Sequence, residues 1–129
     1  MKSRAGDWLK QARSELAWAH DSYTHEHWAF VCFTAQQVAE KCLKAIALHR
    51  GASQVKGHST YLIAQALKIN GRIEMMAQRL DQYYITTRYP DAFSEGAPYE
   101  FFSEDQAKEA LGFAEAFVVF AAQELETDV

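Results

Sequence analysis

Apolar side chains recur three and four residues apart along nearly the whole chain, and no segment sustains the strict alternation of a half-buried strand. Trp8, Leu9, Ala12, Leu16, Ala19 and Tyr23 form one such stripe over residues 4–23, with Lys10, Arg13, Glu15 and Asp21 between them. A polar stretch, Thr24-His25-Glu26-His27, separates it from a second pattern that runs from Trp28 to His49 and stops at Arg50-Gly51. Residues 52–58 read as a loop. Ser59 is placed to cap a third helix reaching about Lys68, and Asn70-Gly71 breaks it before a fourth that carries Ile73, Met76, Leu80, Tyr83 and Tyr84. Pro90 and Pro98 fall in a long loop over about residues 88–102. Ser103-Glu104-Asp105-Gln106 then has the form of a capping box and opens a last helix to about Leu125. Mostly short connections fold consecutive helices back on one another, which predicts an all-α, antiparallel up-down bundle of four or five helices.

With 129 residues, 49% of them hydrophobic, and no internal repeat, the pattern predicts one cored domain over residues 1–129. The formal charge of −4 argues against a surface that grips nucleic acid all round, but it conceals a split. Residues 1–88 hold 12 of the 13 Lys and Arg and 7 of the 17 Asp and Glu, whereas the remainder is strongly acidic. The longest apolar runs are far shorter than the roughly 18 residues that cross a bilayer. Met1-Lys2-Ser3-Arg4 leads straight into a polar amphipathic stretch rather than a signal peptide, so a cytoplasmic protein is expected. Cys32 and Cys42 stand ten residues apart on one helix, about 15 Å along its axis, too far for a disulfide. They read as buried thiols in a reducing compartment.

The second helix is the most informative. Gln36, Gln37, Glu40, Lys41 and Lys44 share one arc, while Ala35, Val38, Ala39, Cys42, Leu43, Ala45 and Ile46 occupy the other side. Phe30 and Phe33 project onto the polar arc, so the N-terminal half is apolar nearly all round and needs a second contact. A homodimer interface and the neighbouring long loop are the two candidates.

Several residues can carry chemistry. Tyr84 and Arg88 are one helical turn apart, so a phenol and a guanidinium share a face; the pair suits a base and a phosphate. The alternative is that Arg88 pairs with Asp91 or Asp81 and the tyrosines pack the loop. Lys41 and Lys44 with Gln37 offer donors to an anion, or form a solvated salt-bridge face with Glu40. His58 is placed as a phosphate contact, a lone general base or a helix-start hydrogen bond. His20, His25 and His27 with Glu26 match no metal-ligand spacing, so no metal is expected. Glycine-rich phosphate loops, G-x-S-x-G, H-E-x-x-H and C-x-x-C are all missing, and no cofactor is expected.

Trp8 and Ala12, the segment Ala35-Gln36-Gln37-Val38-Ala39-Glu40-Lys41-Cys42-Leu43-Lys44-Ala45, Gly57-His58-Ser59, and Tyr84 with Arg88-Tyr89-Pro90-Asp91 together resemble the HEPN domain (higher eukaryote and prokaryote nucleotide-binding). The resemblance covers nearly the whole chain. It implies a prokaryotic helical bundle that dimerises, for which Phe30 and Phe33 are the interface candidates, and that works beside a minimal nucleotidyltransferase in a two-component or toxin–antitoxin-like pair. It also implies a nucleotide site, with Lys41, Lys44 and Arg88 on phosphate, Tyr84 on a base and His58 supplying a hydrogen bond. Many members are ribonucleases with an Arg and a His that have four to six residues between them. Here no His follows Arg72, Arg79 or Arg88, Arg50 and His58 have seven residues between them, and Arg13 to His20 has a permitted spacing but lies in the first helix. Binding rather than cleavage is therefore the expectation. The alternative is a metal-independent ribonuclease toxin acting on RNA through Arg88 and His58. A second is a scaffold that docks a basic partner on the acidic last helix.

Overall fold

The computed structural model describes residues 3–126, and the signal-peptide argument from Met1 and Lys2 lies outside them. Six helices follow in order: α1 (Ala5–Thr24), α2 (Trp28–His49), α3 (Thr60–Ala66), α4 (Arg72–Asp81), a single turn α5 (Tyr83–Thr86) and α6 (Glu104–Leu125). No strand occurs among the described residues, and the long helices pack as the all-α bundle that the apolar spacing predicts.

Helix α2 is the centre of the molecule because α1, α6, α3, α4 and α5 all pack against it. Its Val31, Val38, Leu43 and Ile46 are fully enclosed and meet Phe117 of α6 and Met76 and Leu80 of α4 in one core. Burying a side chain of this size is worth about 1.5–3 kcal/mol each. Small residues from both partners, Ala12 and Ala19 of α1 and Ala110, Ala114 and Ala121 of α6, are also enclosed.

Local chemistry sets the ends. The Ser103 hydroxyl accepts from the Gln106 amide at 3.3 Å while Gln106 Oε1 accepts from the Ser103 amide at 2.9 Å, so the capping box forms as expected. Helix α3 is shorter than the sequence suggests. It ends at Ala66 because Lys68 takes a left-handed conformation (φ 59°), which lets the Ile69 amide reach the Ala64 carbonyl at 2.9 Å.

The long loop is not structureless. Two 3-10 turns, at Pro90–Ala92 and Pro98–Phe101, start at its prolines. Phe93 stacks on Phe101 at 4.5 Å and meets Phe102 edge-on at 6.4 Å, while Phe102 meets Tyr83 edge-on at 5.8 Å. These rings tie the loop to α5, and the second 3-10 turn packs on α2. The loop is thus one of the contacts that the apolar start of α2 required.

Candidate functional site

Asp81, the last residue of α4, organises this side of the bundle. Its carboxylate accepts from the amides of Thr60 at 2.8 Å and Tyr61 at 3.0 Å, and from the hydroxyls of Ser59 at 2.7 Å and Thr60 at 2.6 Å. The Leu62 amide goes to Ser59 Oγ at 3.1 Å, so all three leading amides of α3 are satisfied. Ser59 caps α3 as its position predicts. Gln36, fully enclosed on α2, donates to the His58 carbonyl at 2.8 Å and lies 3.3 Å from Asp81. The end of the 52–58 loop is therefore pinned between α2 and α4.

The polar arc of α2 is not a solvated face. Glu40 and Lys44 are 4% and 7% exposed, and their side chains pair at 3.0 Å. Lys41 pairs at 3.0 Å with Glu15, another buried carboxylate, which also accepts from Gln11 at 2.7 Å. The charges are enclosed because α1 crosses this arc, with the Trp8 ring 5.7 Å from the Lys44 ammonium. Both lysines expected to meet phosphate are thus engaged by carboxylates.

His58 occupies the outer edge of the same network. Its Nδ1 lies 3.1 Å from Glu40 Oε1, while Glu40 Oε2 takes the Lys44 ammonium. Its ring stacks on Tyr84 at 5.1 Å between centroids and 15° between planes. Arg88 covers the same tyrosine at 4.8 Å, with Phe33 at 4.3 Å and Tyr89 at 5.0 Å. The imidazole centre and the guanidinium carbon, 5.1 Å and 4.8 Å from one ring centre, are therefore at most 9.9 Å apart.

Arg88 donates through Nε and Nη2 to the Tyr84 carbonyl at 3.0 and 2.7 Å, one helical turn back. Neither Asp81 nor Asp91 pairs with it, nor does any other carboxylate among the described residues. The remaining N–H groups of its fork are free to bind an anion. A cavity of about 560 Å³ opens beside it, walled by Glu26, His27, Trp28, Phe30, Thr87 and Tyr99 among others. Of the expected residues, the structure clusters His58, Tyr84, Arg88 and Phe33, and Phe30 lies 6.5 Å from Phe33; Arg88, Phe33 and Phe30 line this cavity, His58 lines a separate one beside Leu62 and Ile63, and Tyr84, Lys41 and Lys44 line neither.

The other candidates contribute no site. His20 pairs with Glu115 at 3.0 Å, and the His25 and His27 rings stack 6.4 Å apart. No group of three His, Cys, Asp or Glu side chains among the described residues converges on a metal position. Burial pushes the Cys32 and Cys42 thiols up to about 12, which leaves them un-ionised and poor nucleophiles. Among the described residues no helix is long and apolar enough to cross a membrane.

Sequence reasoning missed Asp81 as the hub, Tyr99 as a cavity wall and Glu15 as the partner of Lys41. Only Ser59-Thr60, a helix start rich in donors, hinted that an acceptor from elsewhere was needed.

The chain superposes on solved structures along almost its full length. TT1696 from Thermus thermophilus matches with a TM-score of 0.86 at 36% identity, covering 95% of this chain and 99% of that one. ST0689, an archaeal HEPN homologue, matches at 0.78 and 31%, covering 97% and 99%. TM0613, a HEPN domain protein from Thermotoga maritima, matches at 0.74 and 25%, covering 95% and 99%. No curated protein matches. The HEPN domain family matches residues 5–125, and with these neighbours the conclusion follows that the chain belongs to the HEPN family.

Proposed function

We propose that this chain is a nucleotide-binding HEPN module that acts as a homodimer beside a minimal nucleotidyltransferase. One observation carries the nucleotide reading: Arg88 is stacked among three aromatic rings, pairs with no carboxylate among the described residues, and faces a cavity of about 560 Å³. A guanidinium held in this way is pre-ordered for two-point contact with a phosphate. Lys41 and Lys44 drop out of the ligand set because each already neutralises a buried carboxylate. Tyr84 is covered by His58 and Arg88, so the stacking role passes to Tyr99, which is 76% exposed and shares the cavity with Arg88. The dimer reading draws on the family resemblance and on Phe30, which is 48% exposed on the cavity wall.

Isothermal titration with ADP and GDP at millimolar concentration tests the reading. Heat is expected from the wild type and a loss of at least about tenfold in affinity from Arg88→Ala, the cost of one charge-assisted contact. A wild type that gives no heat, or an Arg88→Ala variant that binds equally well, refutes it. Sedimentation of the wild type against Phe30→Glu tests the dimer.

A further inference from the structure

In a neutral imidazole one ring nitrogen carries the proton and the other accepts. The choice at His58 is made by Glu40. Its carboxylate takes the Lys44 ammonium at 3.0 Å and presents an oxygen acceptor 3.1 Å from the imidazole, a geometry that favours the N–H on the ring nitrogen facing it. The opposite nitrogen, Nε2, then carries the lone pair. It has no partner among the described residues, and the side chain is 58% exposed, on the same tyrosine ring that carries Arg88.

We propose that Glu40 is a positioning residue: it locks His58 as the Nδ1–H tautomer, so that Nε2 accepts a hydrogen bond from a ribose hydroxyl of the nucleotide whose phosphate Arg88 holds. The inference rests on the nucleotide reading above and adds to it the sense of the hydrogen bond and the group recognised. The imidazole and guanidinium are at most 9.9 Å apart, and the reach from a phosphate to the hydroxyls of its own ribose falls within that limit. The charged groups around the imidazole are Glu40 and Lys44 of α2, Asp81 of α4, which holds the adjoining Ser59 and Thr60, and Arg88 just beyond α5. A site that offers an acceptor favours a ligand that brings a donor, and one lacking it leaves Nε2 unmatched.

Two measurements test this. Long-range proton–nitrogen NMR at alkaline pH reads the tautomer of His58 directly, with His58→Asn to assign the signal; a proton on Nδ1 is expected, and a proton on Nε2 overturns the proposal. Titration with ADP against 2′,3′-dideoxy-ADP reads the recognised group. The wild type is expected to prefer ADP by about tenfold, the typical worth of one hydrogen bond. In Glu40→Gln combined with Lys44→Met, which leaves no orphaned ammonium, the amide no longer dictates the tautomer and the preference is expected to shrink. Binding of inorganic pyrophosphate, which reads Arg88 alone, should be unchanged. Equal binding of the two nucleotides by the wild type, or an undiminished preference in the double variant, overturns the positioning role while leaving nucleotide binding intact. If neither nucleotide binds the wild type, both readings fall, and the NMR signature then reports the Glu40–His58 contact alone.

Discussion

Replacing Lys44 by Met should be among the most damaging single changes to this fold. The variant leaves the Glu40 carboxylate, 4% exposed, without the ammonium that sits 3.0 Å from it. Removing one partner of a buried pair costs about 3–5 kcal/mol, because the remaining charge stays desolvated. The second contact of Glu40, to His58, is to a half-exposed side chain and offsets only part of this, so the lower end of about 3 kcal/mol is expected. In urea, with a slope near 1.5 kcal/mol/M, that moves the unfolding midpoint by about 2 M. Glu40→Leu should cost a similar amount by stranding Lys44, whereas Glu40→Leu with Lys44→Met should fall within about 1.5 kcal/mol of the wild type, since a volume-matched apolar pair is tolerated at such sites. Chemical denaturation followed by circular dichroism, on all four proteins, closes the cycle. A Lys44→Met cost under about 1 kcal/mol would place the pair among surface ion pairs and refute the burial argument. Additive single-variant costs in the double variant would refute the pairing.

Two further outcomes follow from the loop and the core. At Gly96 the backbone is left-handed (φ 83°) and a Cβ would stand 2.7 Å from the Phe101 ring, so Gly96→Ala should cost about 1–3 kcal/mol and loosen the Phe93–Phe101 stack, read as lost near-ultraviolet dichroism. Burial raises Cys32 and Cys42 from 9.0 to about 12, as it does Tyr83 from 10.0, so these groups stay protonated in the folded chain when they ionise in the unfolded one. The unfolded state then binds fewer protons, and stability should fall as pH rises from about 9 toward 12; a midpoint unchanged across that window contradicts the assignment.

The helices were legible because their signals are local. Ser103 with Gln106, Ser59, and Gly51 each act within four residues of themselves, and the spacing of Val38, Cys42 and Ile46 names a core face without knowledge of what lies against it. The pairing of Tyr84 with Arg88 was legible for the same reason, being one turn of helix. What the spacing could not reveal is which polar residues are enclosed. Glu40 and Lys44 project as an ordinary wet face until α1 crosses them, and Glu15 finds Lys41 across 26 positions of sequence. In the sequence Asp81 offers itself only as a local partner for Arg88, because its actual partners Ser59, Thr60 and Tyr61 begin 22 residues earlier.

The placing of the three tryptophans has a practical consequence. Trp8 lies against the Lys44 ammonium and Trp18 is exposed on α1, but Trp28 forms part of the cavity wall beside Arg88 and meets Tyr23 edge-on at 5.1 Å. With the first two changed to Phe, the one indole left is the one that a bound molecule would touch. Occupancy of the cavity would then alter the emission of that single chromophore, so the site comes with a built-in optical gauge that needs no label.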